Sequence, residues 1–139
     1  MATTYNDKDL IHIIAIIRAL HDAQRFLGDM TLDEFEADDE KQNAVAMAFA
    51  RCGEHVKRLS DGFREHESSI EWRKVAGMRD WITHNYDGLD FETLYHAVLE
   101  EAPQVLDALL PYANQASNER IQVADPFDVP YIAETRDKQ

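Results

Sequence analysis

Between Asp7 and Leu27 apolar side chains recur at helical spacing and then spill past a single face. Leu10, Ile13, Ile14, Ile17 and Leu20 follow the i, i+3, i+4, i+7 pattern of one helix stripe, and Ile11 and Ile16 widen it. A helix apolar over so much of its circumference buries two sides. One side is expected to face the core of the chain and the other a second subunit. Gly28 follows as a C-terminal stop.

The rest of the chain continues in the same period, with no sequence repeat and no convincing strand. Thr31-Leu32-Asp33-Glu34 reads as a capping box opening a short helical turn. A second helix is predicted over residues 39–59, with Val45, Phe49, Cys52, Val56 and Leu59 on its stripe and alanines that permit close approach. Residues 60–69 are polar and read as a connection with one helical turn. A third helix is predicted over residues 71–85, followed by an Asp87-Gly88 turn. Asp90 is placed to cap a fourth helix, which runs from Phe91 to about Asn114. Pro103 is expected to kink or restart it near Glu101. The fold class is therefore all-α, an up-and-down bundle of four main helices plus short extra helical turns. The bundle is assigned to residues 1–115, and residues 116–139 to a C-terminal tail, extended or partly docked through its apolar side chains. The breadth of the first stripe makes a homodimer the expected assembly.

Composition narrows the function classes. The 139 residues suit one domain. A single cysteine, Cys52, excludes an internal disulfide framework and a cysteine-based zinc site, and reads as a core thiol. No His-x3-His pair or Gly-rich phosphate loop is present, so neither a helical two-histidine metal site nor a bound cofactor is expected. No apolar run approaches a membrane span, and Ile13 to Ile17 lacks the flanks of a signal peptide, so the chain is expected to be cytoplasmic, with no membrane partner.

The net charge is −13, which as a whole repels nucleic acid. Its distribution is uneven. Residues 51–79 hold 7 of the 14 basic residues and only 5 of the 27 acidic ones. Those cations, Arg51, Lys57, Arg58, Arg64, Arg73, Lys74 and Arg79, are either solvated helix faces or a local cationic site within acidic flanks.

At the end of that stretch, Met78 to Tyr86 places a guanidinium, an imidazole and a phenol within eight residues: Arg79, His84 and Tyr86. Such a set suits phosphoryl chemistry. An arginine fork matches phosphate oxygens, and histidine can take or give a proton near neutral pH. For RNA, His84 can act on the 2′-hydroxyl or the leaving 5′-oxygen. Asp80, four residues earlier, can orient the ring if the helix stays regular. On a regular helix His84 lies about 140° around the axis from Arg79. Either the helix ends or loosens near His84, which Asn85 and Asp87-Gly88 permit, or a second subunit supplies the missing partner across a two-fold axis. Each residue also has an ordinary structural use near a helix end.

Arg79-x4-His84-x-Tyr86 resembles the Arg-x4-6-His-x-Tyr motif of HEPN-domain ribonucleases, and its surroundings resemble the HepT-like toxins of HepT/MNT toxin–antitoxin systems. Cys52-Gly53-Glu54-His55-Val56-Lys57-Arg58 is similar to the family's second-helix segment, a glycine–glutamate run leading to a basic pair. Ile70 to Arg79 is similar to its Trp and Gly-Met-Arg approach to the motif, and Phe26 to Phe35 to its first interhelical connection. The likeness covers about residues 9–112. It implies an all-α dimer with both motifs lining one cleft and metal-independent cleavage of RNA, tRNA or mRNA. It also implies a type II-like or type VII module in which a minimal nucleotidyltransferase of MNT type is the antitoxin and, in some members, adenylylates the motif tyrosine, here Tyr86. Arg79, His84 and Tyr86 are thus the expected catalytic set, with Asp80, Glu54 and Asn85 in support and Glu54 paired to Arg79. Asp80 departs from the asparagine often found after the motif arginine. The alternative is a non-catalytic nucleotide- or partner-binding subunit of a nucleotidyltransferase complex.

Overall fold

The computed structural model describes residues 6–118, apart from the side chains of Tyr86, Ser117 and Asn118. Helix α1 spans Asp7–Leu27. Asn6 caps it by accepting from the Asp9 amide, and Gly28 ends it at φ 57°, where a side chain would be strained. The short α2, Leu32–Glu36, opens on Thr31 with the expected capping box. Helix α3 covers Asp39–Lys57 and α4 covers Asp61–His66, capped by Ser60. Helix α5 covers Trp72–His84, and a 3₁₀ turn follows at Tyr86–Gly88. Helix α6, Phe91–His96, starts on Asp90, whose Oδ1 accepts from the amides of Glu92 and Thr93. A π-helical turn at Ala97–Glu101 joins it to α7, Ala102–Asn118. No strand occurs among the described residues.

The architecture is an all-α bundle with one continuous apolar core. Helix α1 runs through its middle, with α3 and α7 packed along it and the π turn against it. Leu10, Ile13, Ile16, Ile17 and Leu20 are at most 1% exposed. Each contributes about 1.5–3 kcal/mol by leaving water. Most of the wide stripe that suggested a second subunit is therefore covered by the chain's own helices, and Ile11 stays partly exposed. The breadth of α1 reflects chiefly its central place.

The fourth helix restarts where Pro103 was expected to interrupt it. A π turn ends at Glu101, with the Ala102 amide donating to the Ala97 carbonyl, five residues back, and α7 begins at Ala102. Pro103 stands in the first turn of α7, directly after the wider π turn, which accommodates its missing N–H. A second proline, Pro111, lies inside α7 on the exposed side, leaving the Asp107 carbonyl to solvent. Helix α7 extends to Asn118, past the predicted end. The remainder of the tail expected over residues 116–139 lies outside the described residues.

Two polar contacts lock α1 to the end of α3. Asp9, 2% exposed, accepts from the Ser60 amide at 2.7 Å and from the Ser60 hydroxyl at 2.6 Å. This ties the start of α1 to the turn that follows Lys57. One helical turn further along α1, His12 Nδ1 and His55 Nδ1 lie 3.0 Å apart. One nitrogen must accept, so the contact requires at least one neutral ring and is lost when both are protonated. Burial pushes both rings below their ordinary 6.5. Arg58 adds to this at both, and His12 adds to it at His55, against weaker opposite pulls from Asp9 on His12 and Glu54 on His55. A histidine with a lowered folded pKa takes up protons more readily once unfolded. Its contribution is complete above the unfolded value and is lost as the pH falls below about 6.5. The melting temperature is thus expected to fall between about pH 7.5 and about pH 5.5, above the range in which exposed carboxylates protonate. His12→Gln and His55→Gln should each flatten that slope; an unchanged slope in both would assign it elsewhere.

Candidate active site at the end of helix α5

Trp72, Val75, Met78 and Ile82 bury one side of α5 against the bundle, chiefly against α3. The two helices come close together at Gly53. A Cβ there would lie 2.5 Å from Arg79 Cβ, 3.2 Å from the Arg79 nitrogen and 3.3 Å from the Val75 carbonyl oxygen. Gly53 therefore brings the backbone of α3 directly against that of Arg79. The next residue, Glu54, meets the guanidinium: Arg79 Nε lies 3.3 Å from Glu54 Oε2. Glu54 Oε1 accepts from Arg58 Nη2 at 3.1 Å.

Asp80 completes the cluster from the other side. Its Oδ1 accepts from Lys57 Nζ at 2.6 Å and from Arg79 Nη1 at 3.3 Å. The Lys57 hydrogen bond, then that of Arg79, holds the Asp80 carboxyl below the usual carboxylate range. Asp80 is thus turned toward two cations and not toward His84, four residues on. A lysine and an arginine within reach give this carboxylate charge-assisted hydrogen bonds. Three cations, Lys57, Arg58 and Arg79, face two carboxylates, Glu54 and Asp80, leaving a local excess of positive charge on a chain of net −13. All five side chains remain partly open to solvent, so their value lies in position more than in stability. Lys57 was visible in the sequence only as one member of a basic pair. What marks it out is its shared partner across the helix junction.

His84 is the last residue of α5 and is exposed, with no hydrogen-bond or ion-pair partner among the described residues. Asn85 closes the helix: its backbone amide donates to the Trp81 carbonyl at 3.0 Å and its Nδ2 to the same oxygen at 3.1 Å. The helix thus ends at His84, as expected, but stays regular through that residue, so its ending does not bring the imidazole toward Arg79. Arg79 and His84 leave one chain in directions about 140° apart. Tyr86 opens the 3₁₀ turn, and its side chain lies outside the described residues.

Cys52 is fully buried beside this junction, and burial pushes its thiol up to about 12. It stays protonated and packs as a small apolar group. Among the described residues, no three His, Cys, Asp or Glu side chains gather where they could hold a metal ion. No helix among them is long and apolar enough to cross a membrane.

No solved structure gives a significant match to the chain. Its sequence relatives agree with one another. "Putative RNase MJ0127" of Methanocaldococcus jannaschii is 33% identical over 88 residues, 63% of this chain and 73% of that protein. "Putative RNase TTE0752" of Caldanaerobacter subterraneus is 32% identical over 76 residues, 55% and 68% of the two chains. "Probable ribonuclease HepT" of Thermococcus cleftensis is 32% identical over 98 residues, 70% and 87% of the two chains. The family model for ribonuclease HepT-like proteins matches residues 16–111, a span from the middle of α1 to α7 that includes both the Gly53 junction and the end of α5. The chain belongs to the HepT-like ribonuclease family of the HEPN superfamily.

Proposed function

We propose that this protein is a metal-independent endoribonuclease that works as a homodimer, with Arg79 of one subunit and His84 of the other around a single phosphodiester. The observation that carries the reading is the regular last turn of α5. It presents an anchored guanidinium and a free imidazole in different directions. A two-fold axis beside that turn reconciles them. Arg79, held at its Nε edge by Glu54, offers its other N–H groups to the phosphate and to the charge that grows in the transition state. His84, exposed and without a partner, takes the 2′-hydroxyl proton. The 2′-oxygen then attacks phosphorus, and the 5′-oxygen leaves with a proton returned by an imidazolium. Tyr86 follows two residues on in the motif. The protein is the toxin of a two-component module. A minimal nucleotidyltransferase of the MNT type neutralises it by adenylylating Tyr86.

The test uses purified protein freed of any partner and incubated with total tRNA and with mRNA in EDTA. Cleavage is expected, and His84→Ala should lower its rate by about 10²–10⁴. Intact mass should show added AMP only after incubation with a cognate nucleotidyltransferase and ATP, and not in Tyr86→Phe. An unmodified dimer that binds RNA or nucleotide but cuts neither substrate would instead be a binding subunit.

A further inference from the structure

We propose that Lys57 and Arg79 grip one phosphate of a bound RNA together, and that Asp80 is the chain's own competitor for that position. The proposal rests on the ribonuclease reading of this site and adds a substrate contact to it. The argument starts from one oxygen atom. Asp80 Oδ1 accepts from Lys57 Nζ at 2.6 Å and from Arg79 Nη1 at 3.3 Å. Those two distances place the cationic heads within about 6 Å of each other. A gap of that size spans a single phosphate whose oxygens accept from a cation on each side at about 2.8 Å. The carboxylate oxygen between them thus marks a point already shaped to receive an anionic oxygen.

The arrangement also accounts for Arg79. Glu54 holds its Nε edge and Asp80 its Nη1, so two of its three nitrogens are engaged by carboxylates. A phosphate that takes the Nη1 position of Arg79 must displace Asp80. Glu54 has its own second cation, Arg58, and stays with α3, whereas Asp80 is released from Arg79 by a phosphate that Lys57 helps to hold. Lys57 is the last residue of α3, and the Asp9–Ser60 tie secures the turn beyond it, so its ammonium is delivered from a fixed backbone. An asparagine at position 80 would keep the hydrogen bonds and remove the competing charge.

The probe is a 2′-O-methyl RNA oligonucleotide, whose blocked 2′-oxygen cannot attack, followed by fluorescence anisotropy over a salt series. Asp80→Asn is expected to bind about tenfold more tightly than the wild type at low salt, since a repelling charge beside the phosphate is gone. Lys57→Met is expected to bind about tenfold more weakly, with a salt slope smaller by about one. Lys57→Arg should restore most of both. Lys41→Met, on the exposed first turn of α3, should change neither beyond a small non-specific loss. Melting curves verify that each variant is folded. Tighter binding in Asp80→Asn together with weaker, less salt-dependent binding in Lys57→Met supports the proposal. Any other pattern overturns it, including no measurable binding by the wild type. Because the probe is never cut, failure here leaves His84-dependent cleavage standing, and failure of cleavage leaves this result readable.

Discussion

Arg79→Ala and His84→Ala proteins, each inactive alone, are expected to recover ribonuclease activity when they share a dimer. If every site takes its arginine from one subunit and its histidine from the other, a mixed dimer holds one site with both groups and one with neither. Half of a freely exchanged equimolar mixture is mixed dimer, so the recovered rate should be about one quarter of wild type. Each variant alone should be lower by about 10²–10⁴. Coexpression of the two variants with different tags and tandem purification gives the mixed dimer directly, where the expected rate is about half of wild type. If the purified mixed dimer is no more active than either parent, the shared site is wrong. The His84→Ala result in EDTA would then have to be explained within one chain.

Gly53→Ala and Gly77→Ala should move stability in opposite directions. Both glycines lie inside helices, and alanine in a helix interior is favoured by about 0.5–1 kcal/mol. Around Gly77 nothing lies within 4 Å of the added carbon, so that gain is realised in full. At Gly53 the added carbon meets Arg79 Cβ at 2.5 Å, an atom fixed to the backbone that cannot swing aside. Helices α3 and α5 must separate, at a cost of about 1–3 kcal/mol that outweighs the propensity gain. Gly53→Ala should therefore lower the melting temperature by a few degrees and Gly77→Ala raise it by about 2–4 °C. The larger effect is on catalysis. A displacement of Arg79 by a few tenths of an ångström or more, away from Glu54, should cost at least about tenfold in kcat/KM. Gly77→Ala should leave kcat/KM unchanged. A Gly53→Ala protein with wild-type melting and wild-type rate would mean that the junction does not position Arg79.

Local signals carried the element boundaries. Gly28, Thr31 and Asp90 act through a few neighbouring residues, so these caps and stops are visible along the chain, and α1 and α5 begin and end within a residue or so of expectation. Contacts between distant residues were not visible in that way. The breadth of the α1 stripe was readable, but whether a second subunit or α7 covers it depends on where residues 102–118 return. Pro103 carries the same chemistry in a kink and in a first helical turn, and the π turn before it decides between them. At the site, Arg79, His84 and Tyr86 stood out as a short motif. The Gly53 approach, the Lys57–Asp80–Arg79 junction and the facing His12 and His55 rings join residues 23 to 43 positions apart, through helix packing that no local period records.

The central place of α1 sets an order of events during synthesis. Helix α1 leaves the ribosome before the helices that cover it; its middle, from Ile13 to Leu20, is buried all round, and its sheath is completed only by α7. Until about residue 109 has emerged, no set of neighbours can close around Ile13, Ile16 and Ile17, although the α3–α5 junction has already been translated. A truncated product that ends before α7 therefore carries every motif side chain and still lacks a finished interior, so an interrupted translation leaves a greasy, protease-sensitive fragment in place of a working nuclease.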